Sequence, residues 1–474
     1  MRAGLRGSPP TEPIMSKAIF AAAIVALLAG CTVGPRYRQP EVPLPASFDQ
    51  AAVEAAQLPA GSRLWAAFGS SELDALIARA LVANTTIAQA AARFAETRAL
   101  SGLSTYSWFP TVTAEGDQEK SQFSGLDPFS EAGQFETWRA GFDAVWEIDL
   151  FGSLRNQQNS IDRRAEADAA SLADARLSIV AETAQAWFSL IGARERLALQ
   201  RRQLTNLEEN VTILQARVDA GNSTALDLAR SEAQARSLAA SVPQAEADVV
   251  RQEQRLAVLT AWPVATLRLQ LASTTTIPDL PELVATGTPE QWLKRRPDIR
   301  SAERQLAAAT ADVGVEVAEY FPKLELLGSF GWTGQSRDQI GDPAAERWRY
   351  GPSLRWSFLN FGRVHQYVNA AEARADGAVA RYQETVLRAL EETENSLAGF
   401  RAANQTEDEL RAAAAAAGEA TRLSQMRYDV GASDYLTLLD AERTMLALED
   451  QHVQAASRRA TALAALYKAL AGDL

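Results

Sequence analysis

Internal disulfides are the first thing this sequence excludes. It holds a single cysteine, Cys31, in 474 residues. Its two histidines, His365 and His452, lie in helical stretches without ligand-like neighbours and read as structural, so a Cys/His metal site is nearly excluded. Positive charge is in deficit. The 47 Lys and Arg stand against 59 Asp and Glu, a formal net charge of -12, the wrong sign for a phosphate-binding face, so nucleic acid is not an expected partner. No apolar run reaches the ~20 residues that a membrane-crossing helix needs, so any crossing must be made by strands. The chain shows no nucleophile–base motif, metal cluster or glycine-rich phosphate loop, and an enzyme is not expected. Apolar residues make up 47% of the chain, enough for a substantial core in one large domain or two medium ones.

The N-terminus reads as an address. Lys17 precedes the apolar run Ala18 to Ala29, and Leu28-Ala29-Gly30-Cys31 follows. A cationic start, a stretch too short to span a bilayer and small residues at its end describe a signal peptide over 1–30. Met15 is an alternative start to Met1, because three prolines make Met1–Ile14 a poor signal. The Leu-Ala-Gly-Cys run resembles the bacterial lipobox. That resemblance implies thioether lipidation of Cys31 and cleavage before it, with two or more acyl chains giving stable anchoring. The alternative is an ordinary signal that happens to hold a cysteine. Thr32, where an Asp is lacking, permits outer-membrane delivery by analogy with lipoprotein sorting. Residues 31–62 carry five prolines from Pro35 to Pro59 and read as an extended, unpacked tether.

The rest is organised by an internal repeat at an offset of about 210 residues. Tyr106-Ser107-Trp108-Phe109-Pro110 matches Tyr320-Phe321-Pro322, and Asp149-Leu150-Phe151-Gly152 matches Leu359-Asn360-Phe361-Gly362. Asp219-Ala220-Gly221 matches Asp429-Val430-Gly431. The repeats are placed at 63–276 and 298–474, with a proline-bearing linker at 277–297. Each opens with a helix, at 70–105 and 298–319, stopped by the Phe-Pro pair.

A strand pair follows, at 109–120 with 135–149 and at 323–333 with 349–358. Trp138, Ala140, Phe142, Ala144, Trp146 and Ile148 alternate with a polar side that only Val145 interrupts. Leu324, Leu326, Phe330 and Trp332 share one parity, and Tyr350, Leu354, Trp356 and Phe358 alternate with Arg349, Ser353, Arg355 and Ser357. Period-two alternation puts one face in an apolar medium and the other in a polar one.

Long helices then fit 153–219 and 363–429, roughly 100 Å each at the helical rise. Leu177, Val180, Ala184, Trp187 and Ile191 give a packing seam on the first of them. Gly221 and Gly431 suit the left-handed position that closes a helix. Asn222-Ser223 and Ser433-Asp434 can cap a second helix, at 224–262 and 434–471. Each half therefore ends in a helical hairpin, with Gly221 and Gly431 at the tips. The fold class expected is mainly α with a membrane β part.

The strands could belong to a soluble sandwich. Their aromatic faces, their length near the ~10 residues that cross a bilayer, the secretory address and their small number favour a membrane barrel. Four strands cannot close one, and open edges in lipid cost several kcal/mol per unpaired group. Two chains would supply eight strands and a filled interior; three would supply twelve and the lumen that a duct needs.

This pattern resembles the TolC/OprM-type outer membrane efflux family, in particular its NodT-like lipoproteins, over nearly all of the mature chain. The carrying residues are Leu28-Ala29-Gly30-Cys31, Arg295-Arg296-Pro297-Asp298-Ile299, both Phe-Pro stops, Phe361-Gly362, Tyr428-Asp429-Val430-Gly431, and Tyr435 through Arg443. The resemblance implies a homotrimer with a twelve-stranded β-barrel and a helical barrel beneath it. It also implies a periplasmic adaptor protein, an inner-membrane pump of the resistance-nodulation-division type, outer-membrane localisation, and no cofactor beyond lipid on Cys31. It implies a gate at the periplasmic tips as well, with Leu436 supplying an apolar ring, Asp440 an anionic ring, and Tyr428 and Arg443 bridging contacts. Asp227 lies nearby by repeat symmetry, with Thr437 in its place in the second half. The competing reading of Asp440 is a solvated early helical turn. A periplasmic adaptor is the alternative function, but it should show one hairpin flanked by compact β-modules.

Overall fold

The computed structural model describes residues 32–49, 68–124, 126, 133–271, 276–278, 280 and 288–470. The signal at 1–30 and Cys31 lie outside the described residues.

The chain separates into two compact units. One gathers the described chain up to Pro40 with Ala95–Ala167 and Ala302–Tyr382; the other gathers Glu41–Phe94, Asp168–Ser301 and Gln383–Leu474. Each unit takes segments from both sequence repeats. The reason is that pairing runs across the repeats as well as within them.

In the first unit that pairing is a sheet. Strands β1 (Thr111–Phe123), β2 (Gly133–Ile148), β3 (Lys323–Gly334) and β4 (Glu346–Arg355) form one antiparallel sheet in the order β1-β2-β3-β4. The β2–β3 register joins the repeats, with Phe142 opposite Phe330 and Trp146 opposite Leu326. The register matches even residue to even residue throughout, as Val112 with Ala144 and Phe330 with Trp348 show. One face therefore collects most of the apolar side chains of the sheet, those of β2, β3 and β4 above all. Its aromatics stand open: Trp348 is 66% and Tyr350 79% exposed. The odd face is charged. Arg139 lies 3.4 Å from Asp117 and 3.6 Å from Glu119, and Arg355 lies 3.1 Å from Glu325. Neither β1 nor β4 has an outer neighbour within the sheet.

Strand β4 ends at Arg355, short of the expected 358. Trp356 lies just past the strand end, and its indole Nε1 donates to the carbonyl of Tyr320 at 3.1 Å. Trp146 does the same to Trp108 at 2.9 Å in the first repeat. Each aromatic-Phe-Pro stop is thus tied to the strand end nearest it.

The helix expected over 70–105 is two helices, α1 (Ser71–Ala83) and α2 (Thr85–Thr105). Asn84 breaks it. Its backbone is extended, its Oδ1 accepts from the amides of Thr86 and Ile87, and its Nδ2 donates to Leu259 at 2.9 Å. One buried side chain caps α2 and ties it to the helix that contains Leu259, satisfying donors a helix start otherwise leaves open.

Long helices α3 (Ser153–Asp219) and α4 (Ala225–Thr260) make the first hairpin. Two short helices follow, α5 (Val264–Gln270) and α6 (Pro289–Leu293), the latter inside the span expected as linker. Helix α7 (Pro297–Ala318) leads into β3. Helices α8 (Phe361–Asp429) and α9 (Tyr435–Ala469) make the second hairpin.

The core of the second unit lies on the α3 seam. Leu177, Val180, Ala184, Trp187 and Ile191 are all buried. Phe188 packs edge-on to Phe68 at 5.0 Å, and Phe68 against Tyr467 at 5.4 Å. Each such side chain contributes ~2 kcal/mol or more through burial.

The Arg-Arg-Pro-Asp-Ile run forms a clasp on the end of α9. Buried Arg296 donates to the Ala469 carbonyl at 3.0 Å, to Glu392 at 2.6 Å and to Asp298 at 2.7 and 3.0 Å. Trp292 donates its indole N–H to the same Ala469 carbonyl at 2.7 Å, and Lys468 reaches Glu392 at 3.0 Å.

Candidate functional site: hairpin tips and N-terminal strap

The two hairpin turns share one backbone solution. The amide of Asn222 bonds to the carbonyl of Arg217 at 2.8 Å and that of Gly221 to Val218 at 2.9 Å; Ala432 bonds to Arg427 at 2.8 Å and Gly431 to Tyr428 at 3.0 Å. This nested pair is the Schellman closure, which needs a left-handed residue just past the helix. Gly221 (φ 77°) and Gly431 (φ 72°) supply it.

The caps that start the returning helices differ. At α4, Thr224 Oγ1 accepts from the amide of Asp227 at 3.2 Å and donates to the Asp227 carboxylate at 2.6 Å. At α9 the residue types are exchanged. Asp434 accepts from the amide of Thr437 at 3.0 Å and from its hydroxyl at 2.5 Å. Those hydrogen bonds hold the Asp434 carboxyl below the usual carboxylate range.

Behind the turns, buried Leu214 of α3 meets Tyr435, Leu438 and Leu439 of α9, with Leu228 of α4 and Tyr428 of α8 packed against them. The Tyr428 ring lies 5.5 Å from Tyr435, with the Arg217 guanidinium over it at 5.3 Å. Arg217 also approaches Asp429 at 3.7 Å. One turn further along α9, Arg443 donates to Gln234 of α4 at 3.0 Å. Tyr428 and Arg443 therefore tie the two hairpins of one chain together. Leu436 and Asp440 stand exposed on α9, and the Asp440 carboxylate has no hydrogen-bond or ion-pair partner among the described residues. Asp227 differs from Asp440 in that its carboxylate accepts from the Thr224 hydroxyl in the α4 cap.

Residues 32–39 correct the expectation of an unpacked tether for that part of it, while 50–62 of the expected tether lie outside the described residues. They form a strap docked on the first unit. The amide of Val33 bonds to the Phe151 carbonyl at 3.1 Å, and its own carbonyl accepts from Asn156 at 3.0 Å. Gly34 (φ 104°) lies so close to Gly314 that a Cβ there would sit 2.5 Å from the Gly314 Cα. Tyr37 donates to Glu303 at 3.0 Å, and Gln39 to Tyr382 at 3.1 Å. Burial and that Glu303 contact push the Tyr37 hydroxyl well above its ordinary value. The prolines were the visible signal. The glycine opposite them, nearly three hundred residues away, was not.

Among the described residues no group of three or more His, Cys, Asp or Glu is placed to hold a metal. His452 instead contacts the buried Glu407 at 3.2 Å, and His365 contacts Tyr320 and Asn369.

Comparison with known proteins places these features. The family described as Outer membrane efflux protein matches residues 76–261 and 288–472. Outer membrane protein OprJ of Pseudomonas aeruginosa is 30% identical over 465 residues, 96% of this chain and 95% of its own. Nodulation protein T of Rhizobium leguminosarum bv. trifolii is 28% identical, covering 88% of this chain and 89% of its own. The solved outer-membrane channel OprN superposes with a TM-score of 0.86 at 36% identity, over 94% of this chain and 99% of that one.

Proposed function

This chain belongs to the outer membrane efflux protein family, and from that premise we propose how it works as the outer-membrane exit duct of a tripartite efflux pump. Three copies pool their strands into one twelve-stranded barrel, with the aromatic even face in lipid and the charged odd face lining the lumen. The observation that carries this reading is the sheet itself: an exposed apolar face on one side, and two edges left without neighbours. Such a sheet is unstable in lipid alone, because each open edge leaves unpaired backbone groups costing several kcal/mol apiece.

The duct is passive, and an inner-membrane transporter of the resistance-nodulation-division type supplies the energy. A periplasmic adaptor protein joins the two. The hairpin tips form the periplasmic gate. Leu436 makes an apolar constriction and Asp440 an anionic one. The contacts of Tyr428 and Arg443 hold the hairpins shut. A lipid on Cys31 anchors the N-terminus, and the strap that starts at Thr32 begins beside the ends of the strands, at Phe151 and Gly152. The adaptor reading is disfavoured because the described residues form two hairpins and a single sheet, not one hairpin between compact β-modules.

The test is reconstitution of detergent-purified protein in planar bilayers, with its mass measured alongside. A mass of three chains and discrete conductance steps are expected. A monomer that keeps its β signal in circular dichroism and conducts nothing overturns the proposal.

A further inference from the structure

We propose that the two open edges of the sheet recognise each other by opposite charge: Arg347 and Arg349 on β4 of one copy meet Glu115 on β1 of the next, across the polar face. The inference rests on the shared-barrel reading and adds the contact that decides which edge joins which.

The odd face of β1 carries Glu115, Asp117 and Glu119 and no basic residue. The odd face of β4 carries Arg347, Arg349 and Arg355 and no acidic residue. Neighbours inside the chain satisfy only part of this charge. Asp117 and Glu119 share Arg139, and Arg355 is held by Glu325. Among the described residues, Glu115, Arg347 and Arg349 have no ion-pair partner, and all three stand on edge strands. On the odd face the uncompensated charge is thus acidic on one edge and basic on the other; on the even face Lys120 of β1 and Glu346 of β4 carry the opposite signs.

A second copy is the occupant this arrangement fits. Strands alternate in direction through the sheet, so β4 of one copy lies antiparallel to β1 of the next, as every pair within the sheet does. Keeping apolar faces together forces even residues to pair with even ones, whatever the level of the strands. The odd faces then coincide, and the arginines look across the seam at Glu115. Joining β4 to another β4, or β1 to another β1, would oppose like charges. Cross-strand opposite charges stabilise a sheet and like charges oppose it.

The test is subunit exchange in detergent between two differently tagged populations, scored as mixed trimers recovered through one tag. Reversing one edge, by Glu115→Arg or by Arg347→Glu with Arg349→Glu, should speed exchange several-fold per seam. Three seams compound this to on the order of 10- to 100-fold. Combining both reversals in one chain restores opposite charge at every seam and should return exchange to within about 3-fold of the unmodified protein. Should a reversed chain fail to insert, Arg347→Gln with Arg349→Gln gives a second reading: added salt should speed exchange of the unmodified protein and not of this variant. A combined variant no slower to exchange than the single reversals, or exchange indifferent to all of these charges, overturns the seam while the trimer stands. An unmodified protein that is monomeric overturns the shared barrel and the seam with it.

Discussion

Arg296 offers the most quantitative test of how the second unit is held. Replacing it with alanine removes the guanidinium from Asp298 and Glu392 and strips one of the donors to the Ala469 carbonyl at the end of α9. Truncating one partner of a buried charge pair costs about 3–5 kcal/mol. Here the carboxylate side chains are about one-third exposed, and Lys468 still reaches Glu392, so the expected cost falls to about 2–3 kcal/mol. The assay is hydrogen exchange of the α9 C-terminal amides, which reports local opening. Protection there should fall by about 30- to 100-fold at pH 7. The pH dependence has a definite sign. Burial alone would raise the Glu392 carboxyl, but hydrogen bonds and charge from Arg296, then Lys468, hold it below the usual range. A depressed carboxylate contributes stability above its unfolded pKa, and that stability is lost as pH falls through the folded value. The variant has less of this contribution to lose. Its gap from the unmodified protein should therefore narrow as pH drops below the ordinary Glu value of about 4.3. Unchanged α9 protection, or a gap of the same size at low pH, would refute the clasp.

Other consequences are open to direct measurement. Cys31→Ser should abolish lipid attachment, so acyl chains found on that variant by mass spectrometry would refute the lipobox reading. Gly314→Ala places a Cβ against the Asn156 side chain, which holds the Val33 carbonyl. At a cost of about 1–3 kcal/mol, the strap should loosen and trypsin should cut faster after Arg36; an unchanged rate would argue against docking. Arg443→Ala removes the bond to Gln234 and should raise conductance in planar bilayers. Asp440→Ala should lower the preference for cations over anions, and an unchanged reversal potential under a salt gradient would remove Asp440 from the constriction.

Where the sequence was legible, a local period carried the signal. Trp138 to Ile148 alternates strictly enough to place an apolar face, and the 3-4 spacing from Leu177 to Ile191 marks the buried stripe of α3. Gly221 and Gly431 were readable because only a left-handed residue closes a helix in that way. The misses share a cause: a side chain recruited by a distant partner. Asn84 sits in an unbroken helical pattern and breaks it because Leu259 offers a carbonyl. Trp356 keeps the strand parity yet lies past the strand end, its indole bonded to the Tyr320 carbonyl. Prolines after Cys31 indicate extended chain, and nothing local announces Gly314 or Glu303 as the surface they lie on. At the tips, the family resemblance pointed to Tyr428 and Arg443, but their contacts with Arg217 and Gln234 appear only in the packed hairpins.

The exchanged caps bear on how the proposed gate would work. Had both repeats kept the same chemistry, symmetry would give each chain two equivalent acids near the tip. The first-turn acid of α4, Asp227, instead spends its carboxylate on the Thr224 hydroxyl, and in α9 the acid has moved to the cap itself as Asp434. Both are occupied in starting a helix. Asp440, a turn and a half beyond the cap, is left with its carboxylate uncommitted. A threefold gate would then draw the free carboxylate of Asp440 from each chain. At separations of about 10 Å and an effective dielectric near 20, each pair of such charges repels by about 1–2 kcal/mol. That repulsion favours splayed hairpins, and the cation–π contact of Arg217 on Tyr428 and the Arg443–Gln234 bond oppose it with energies of similar size. Near-balance is what a passive gate requires, since an adaptor then needs to contribute only a few kcal/mol of differential binding to open it.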